Sequence, residues 1–167
     1  MSTVRQTIRQ TGQHSHKATA MTNPAHWKGV TILVAEDDAD NRDILRTLLA
    51  LRGFDVLEAA DGRQAVELAR AARPDLILMD LKMPVMNGLA ATRAIRQQPE
   101  PHLRTVPIVA LSAYHPTQHG AVAAAAGCDD YVLKPINYEQ LEAVIRRLLK
   151  HAPDADTARP RGDTLAA

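Results

Sequence analysis

Five short apolar runs, each followed by a stretch of helical periodicity, leave this chain few folds to choose from. The runs are Val30 to Ala35, Phe54 to Leu57, Leu76 to Met79, Val106 to Leu111 and Tyr131 to Leu133. Short and largely apolar, they fit strands in the central layer of a three-layer sandwich. After the first run, Ile44, Leu45, Leu48 and Leu49 recur at helical spacing, and Gly53 suits the helix end. Asp61 with Gln64 has the form of a capping box, opening a helix that Arg73-Pro74 stops after Ala72. Residues 87–97 form a third helix, and residues 116–126 an Ala-rich fourth that ends at Gly127. A fifth opens at Asn137 with Gln140 in the capping-box position, and Leu141, Val144, Ile145, Leu148 and Leu149 make its apolar stripe. Five strand–helix units predict an α/β fold: a parallel sheet covered on both faces, with right-handed crossovers. Hydrophobic residues are 46% of the chain and aromatics only 3%, so the core is expected to be aliphatic.

The flanks are different in kind. Residues 1–28 carry Arg5, Arg9, Lys17 and Lys28 with no acidic residue and no apolar periodicity, and read as a flexible basic arm. Its function is either solvation or partner docking, and Met21 is an alternative start of translation. His14 and His16 lie there without the company a metal site needs. Residues 29–151 form the folded domain, and 152–167, with Pro153, Pro160 and Gly162, a disordered tail. A net charge of +1 offers no global field for nucleic acid or membrane. A single cysteine, Cys128, cannot form an internal disulfide, which fits a reducing compartment. No apolar run approaches the roughly 20 residues of a membrane span, and no secretory signal opens the chain, so a cytoplasmic location is expected.

The chemistry-bearing residues follow the strands. Glu36 and Asp37 follow the first, Asp80 ends the third, Ser112 follows the fourth and Lys134 the fifth. Open parallel sheets bind ligands at that carboxyl edge. If the first and third strands are neighbours, three carboxylates converge, and their repulsion calls for a proton or a cation. Magnesium takes such hard oxygen ligands. Lys134 adds a point charge suited to phosphate and Ser112 a hydroxyl. An oxygen nucleophile with charge neutralisation is what phosphoryl transfer requires.

Four segments carry a family resemblance: Ile32-Leu-Val-Ala-Glu-Asp-Asp38, Asp80-Leu-Lys-Met-Pro-Val-Met-Asn-Gly88, Ala110-Leu-Ser-Ala113 and Tyr131-Val-Leu-Lys-Pro135. Over about residues 30–150 the chain resembles bacterial response-regulator receiver domains. The resemblance implies a flavodoxin-like, doubly wound five-stranded parallel sheet of order 2-1-3-4-5 with five helices. It implies that Asp80 is the phosphoacceptor, and that Glu36, Asp37, Asp80 and the backbone carbonyl of Lys82 bind Mg²⁺ or Mn²⁺. Ser112 and Lys134 would hold the phosphoryl oxygens. Ser112 and Tyr131 would move together as a switch, remodelling the face of the fourth helix, fifth strand and fifth helix. Lys134-Pro135 is often cis in the family. Glu36 stands where many members have Asp, and Ser112 where many have Thr; both keep the functional group.

Plainer roles stand beside these. Asp38 and Asp40 suit a helix N-terminus rather than a metal. Met79, Met83 and Met86 fill core or loop gaps. Gly88 relaxes a turn, Cys128 is a bystander, and Tyr131 alone would be an ordinary half-buried strand aromatic. The expected partners are a sensor histidine kinase or a histidine phosphotransfer protein and a downstream protein target, in the manner of single-domain chemotaxis or cell-cycle regulators. No effector segment or DNA-binding helix-turn-helix is expected, and no enzymatic turnover beyond autodephosphorylation. One alternative is a degenerate receiver that docks unphosphorylated. Another is an aspartyl-phosphate hydrolase, but that class carries a second Asp where Lys82 stands. Lys82 and Tyr114, two residues after Asp80 and Ser112, flank the path of attacking water in the family, and bulky Tyr114 is expected to prolong the phosphoryl state.

Overall fold

The computed structural model describes residues 27–149 of the 167. The arm and tail expected over most of 1–28 and 152–167 therefore lie outside the described residues. Five strands, β1 (Thr31–Ala35), β2 (Asp55–Ala59), β3 (Leu76–Asp80), β4 (Ile108–Ser112) and β5 (Asp130–Leu133), pair in parallel in the order β2-β1-β3-β4-β5. The expected strand order is borne out. The helices are α1 (Ala39–Leu51), α2 (Gly62–Ala72), α3 (Gly88–Arg96), α4 (Pro101–Thr105), α5 (Pro116–Ala126) and α6 (Tyr138–Leu149).

Among the described residues, six helices replace the expected five. The addition, α4, is little more than one turn, too short to show periodicity, although Pro101 at its start is a standard helix opener. It fills the space between α3 and β4 with the buried Leu103. Strand bounds also shift. β2 runs on to Ala59, and β4 starts at Ile108 rather than Val106, because Pro107 has no N–H for the ladder.

Alternation along each strand divides the core in two. Ile32, Val34, Leu76, Leu78, Val109 and Leu111 pack under α1 and α6, against Leu45, Leu49, Leu141 and Ile145. Leu33, Ala35, Ile77 and Met79 face the other way, onto Ala65 and Ala69 of α2 and Ala91 and Ile95 of α3. β3 and β4 are buried at every position, as central strands of a doubly covered sheet must be. Ile44 departs from the expected stripe of α1. It is 56% exposed, and only Leu45 and Leu49 of that set are fully buried.

The helix ends follow the sequence signals closely. Asp38, Asp61 and Asn87 each accept a hydrogen bond from the backbone N–H three residues on. Gln64 reaches back to the N–H of Ala60 rather than Asp61, so the reciprocal box closes one residue early. Asn137 caps the N–H of Gln140. Asp38 and Asp40 thus serve α1, as expected.

Trp27, placed by the sequence reading within the arm, is 6% exposed and stacks on Phe54 with ring centroids 5.0 Å apart. Among the described residues, the fully buried core thus includes a Trp27–Phe54 pair, contributed in part by a residue ahead of the first strand.

Candidate functional site

The carboxyl ends of β1, β3, β4 and β5 build an acidic cleft at one edge of the sheet. Parallel pairing sets Ala35 beside Met79, so the residues that follow, Glu36 and Asp80, emerge side by side. Backbone bonds continue the ladder past the strands: Glu36 N–H to Ala59, Leu81 N–H to Leu111 and Lys134 N–H to Ser112, at 3.0, 3.0 and 2.7 Å. The site residues are thereby fixed by main chain before any side chain acts.

Glu36, Asp37 and Asp80 each place a carboxylate oxygen within 4.8 Å of the others. Glu36 and Asp80 are 1% and 5% exposed, whereas Asp37 opens to solvent. Lys134 Nζ donates to Asp80 Oδ2 at 2.6 Å and to Glu36 Oε2 at 2.7 Å. The other Asp80 oxygen, Oδ1, accepts the N–H of Lys82 at 2.9 Å. The Lys134-Pro135 peptide is cis.

The charges do not balance locally. Burial works against the Lys134 ammonium, but bonds to Asp80 and Glu36 outweigh it and hold the lysine above its usual range. An ion pair alone would draw the Glu36 carboxyl down. Instead burial pushes it up, Lys134 opposes, and the Asp80 charge pushes further up, leaving it raised. The two directions conflict if one pair is considered, and agree once two carboxylates, Glu36 and Asp80, share one ammonium. The cluster lacks positive charge. Its donor set, three carboxylates with one on the solvent side, fits a hard divalent cation that keeps waters of its own.

Ser112 is 3% exposed, and its Oγ accepts the N–H of Tyr114 at 3.2 Å. Tyr131 is half-buried, and its hydroxyl donates to the carbonyl of Tyr114. Ser112 and Tyr131 thus meet at one residue, though they do not touch directly. Lys82 is exposed beside Asp80. All of these except Tyr131 line one cleft of about 790 Å³, together with Tyr114 and His119.

Gly88 has a different role from the expected turn. It begins α3, and a Cβ there would lie 2.0 Å from the carbonyl oxygen of Asp80. Close approach of helix to strand end, and not a positive φ, requires glycine. Met79 and Met83 are buried in the core, as expected. Cys128 contacts Thr92, and burial raises its thiol above the usual range.

Two features escaped the sequence reading. Arg42 donates to the carbonyl of Glu36 at 2.7 Å and pairs with Glu58, steadying the acidic turn from α1. Its only signal was an arginine in the second turn of a helix opened by acids. The other is His119, whose ring packs on that of Tyr114.

Comparison with known proteins agrees with this geometry. The model of the response regulator receiver domain matches residues 32–146. The chain belongs to the response regulator receiver domain family. Members of this family are phosphoacceptors of two-component signalling systems. The chain is 38% identical over 123 residues to the DNA-binding response regulator MtrA of Mycolicibacterium paratuberculosis, covering 74% of this chain and 52% of that protein. It is 35% identical over 126 residues to the probable transcriptional regulator ycf27 of Porphyridium aerugineum, covering 75% and 50%. This receiver chain thus spans about half the length of those curated relatives. Among solved structures, it superposes on the receiver domain of sensor histidine kinase PA1611 from Pseudomonas aeruginosa, which has a magnesium ion coordinated in its active site cleft. The TM-score is 0.68 at 38% identity, covering 73% of this chain and 98% of that one. The chemotaxis protein CheY4 of Vibrio cholerae gives 0.67 at 31%, covering 71% and 98%. Among the described residues no helix is long and apolar enough to cross a membrane.

Proposed function

We propose that this receiver is a reversible phosphoryl switch in which the Asp80 carboxylate attacks the phosphorus of a phosphohistidine. The phosphorus–nitrogen bond breaks as the phosphorus–oxygen bond forms, and the departing imidazole takes a proton from solvent. The donor is a sensor histidine kinase or a histidine phosphotransfer protein. The observation that carries this reading is the convergence of Glu36, Asp37 and Asp80 around a charged Lys134 at the mouth of an open cleft.

Each residue has a role set by its position. Lys134, held on Asp80 before transfer, follows the charge onto the phosphoryl oxygens. Ser112 turns its hydroxyl hydrogen to a second phosphoryl oxygen, since its Oγ lone pair is what Tyr114 N–H occupies. Glu36, Asp37 and Asp80, with the backbone carbonyl of Lys82, would hold Mg²⁺ or Mn²⁺. The bound cation supplies neutralisation of the charge that builds on the transferring group. Tyr131, tied through Tyr114 to Ser112, relays the state of the site to the surface of α5, β5 and α6. Output is a protein–protein contact of the domain in the cytoplasm, with no turnover chemistry beyond loss of its own phosphoryl group. Tyr114, 49% exposed at the cleft, shields the acyl phosphate and lengthens its lifetime.

Beryllofluoride, a phosphoryl mimic, tests this reading. It is expected to bind stoichiometrically in Mg²⁺, not in chelator, and not to Asp80→Asn. Equal binding by the variant would refute the assignment of Asp80, and no binding by the native chain would favour an unphosphorylated docking module.

A further inference from the structure

Tyr114 is held at three points, and only two of them belong to the switch. Its N–H is bound by Ser112 Oγ at 3.2 Å, and its carbonyl by the Tyr131 hydroxyl. The third hold is on the ring. The imidazole of His119 lies against it with centroids 4.7 Å apart and planes inclined at 49°, within the favourable range for a tilted aromatic pair.

His119 sits at the fourth position of α5 and is less exposed than Tyr114. Both rings line the cleft that contains Asp80, Ser112 and Lys134. A half-exposed tyrosine in a loop would otherwise sample several rotamers and shield the cleft only part of the time. A ring seated on a helix loses that freedom. Backbone bonds fix where Tyr114 starts, and they leave χ1 and χ2 to the His119 contact.

We propose that His119 is a positioning residue for the phosphoryl lifetime: it holds the Tyr114 ring across the mouth of the Asp80 cleft and so limits the approach of water. The inference rests on the phosphoacceptor reading of Asp80. It works by aromatic contact rather than by proton transfer, since a histidine acting as general base would shorten the lifetime that this one extends.

Autodephosphorylation of the full chain, labelled with radioactive acetyl phosphate in Mg²⁺ and then freed of donor, tests it. His119→Ala is expected to lose label faster, by roughly two- to tenfold, the range an aromatic pair gives when it weighs on a barrier. Tyr114→Ala is expected to match it, and the double variant to be no faster than Tyr114→Ala, as for residues acting through one contact. His119→Phe keeps the ring and is expected to restore a near-native lifetime. An unchanged or slower loss in His119→Ala, additive effects in the double variant, or failure of Phe to rescue would each overturn the inference while leaving Asp80 as acceptor. Failure of the native chain to take up label at all would overturn the reading of Asp80 and this inference with it.

Discussion

Gly88 shows how tightly Asp80 is framed. Its missing side chain leaves room for the Asp80 carbonyl, 2.0 Å from where a Cβ would stand. Backbone cannot yield as a flexible side chain can, so Gly88→Ala is expected to cost about 2 kcal/mol or more in urea unfolding. A loss below about 0.5 kcal/mol would show that α3 slides aside freely. Arg96 is the second residue on which much depends. Its guanidinium donates to the carbonyls of Leu103, Val106 and Gly127 at 2.8 to 3.0 Å and to Asp129 at 2.8 Å. Burial lowers its pKa, with Asp129 opposing. Truncation to Ala leaves several half-buried carbonyls without a donor, and is expected to cost about 2–4 kcal/mol by the same unfolding measurement.

At the scale of elements, α1 and α6 are joined through Glu142. Arg52, near the end of α1, bonds it at 3.1 Å and lies over the Tyr138 ring at 5.5 Å, while Arg146 bonds it from within α6. Burial pushes the Glu142 carboxyl up, but the two arginines outweigh it and hold it below its usual 4.5. A depressed carboxylate contributes stability that is complete above its unfolded pKa and lost as pH falls through the folded one. The stability difference between the native chain and Glu142→Gln is therefore expected to be level above about pH 5 and to shrink below it. A difference independent of pH down to about 3 would contradict this linkage.

These elements also show what the sequence could disclose. β1 and β3 were legible because both faces of a central strand are apolar, and α2 because Asp61 and Pro74 mark its ends. The site was legible because its residues follow strands, and a parallel sheet gathers strand ends at one edge. α4 was not, since five residues cannot express a period. Ile44 was misassigned because spacing alone does not fix the width of a buried stripe. Gly88 depends on how closely α3 approaches the end of β3, and His119 on how the loop turns Tyr114 back onto α5, which no periodicity records.

For the molecule as a whole, Trp27 marks where the folded unit begins to matter. It is the chain's single tryptophan, buried against Phe54 in the layer under α1 and α6. Its fluorescence is expected to report global unfolding, and Trp27→Ala to cost about 3 kcal/mol or more, a loss typical of emptied aromatic sites. A negligible cost would place the start of the cooperative unit after it. The account as a whole turns on Asp80 as the point where phosphate enters. Its most direct measurement is incorporation of radioactive phosphate from acetyl phosphate, in Mg²⁺, followed by mapping of the label. The account predicts one phosphoryl group per chain, on the segment carrying Asp80, absent in chelator and absent in Asp80→Asn. Equal labelling of Asp80→Asn, or label mapped to another residue, would contradict it.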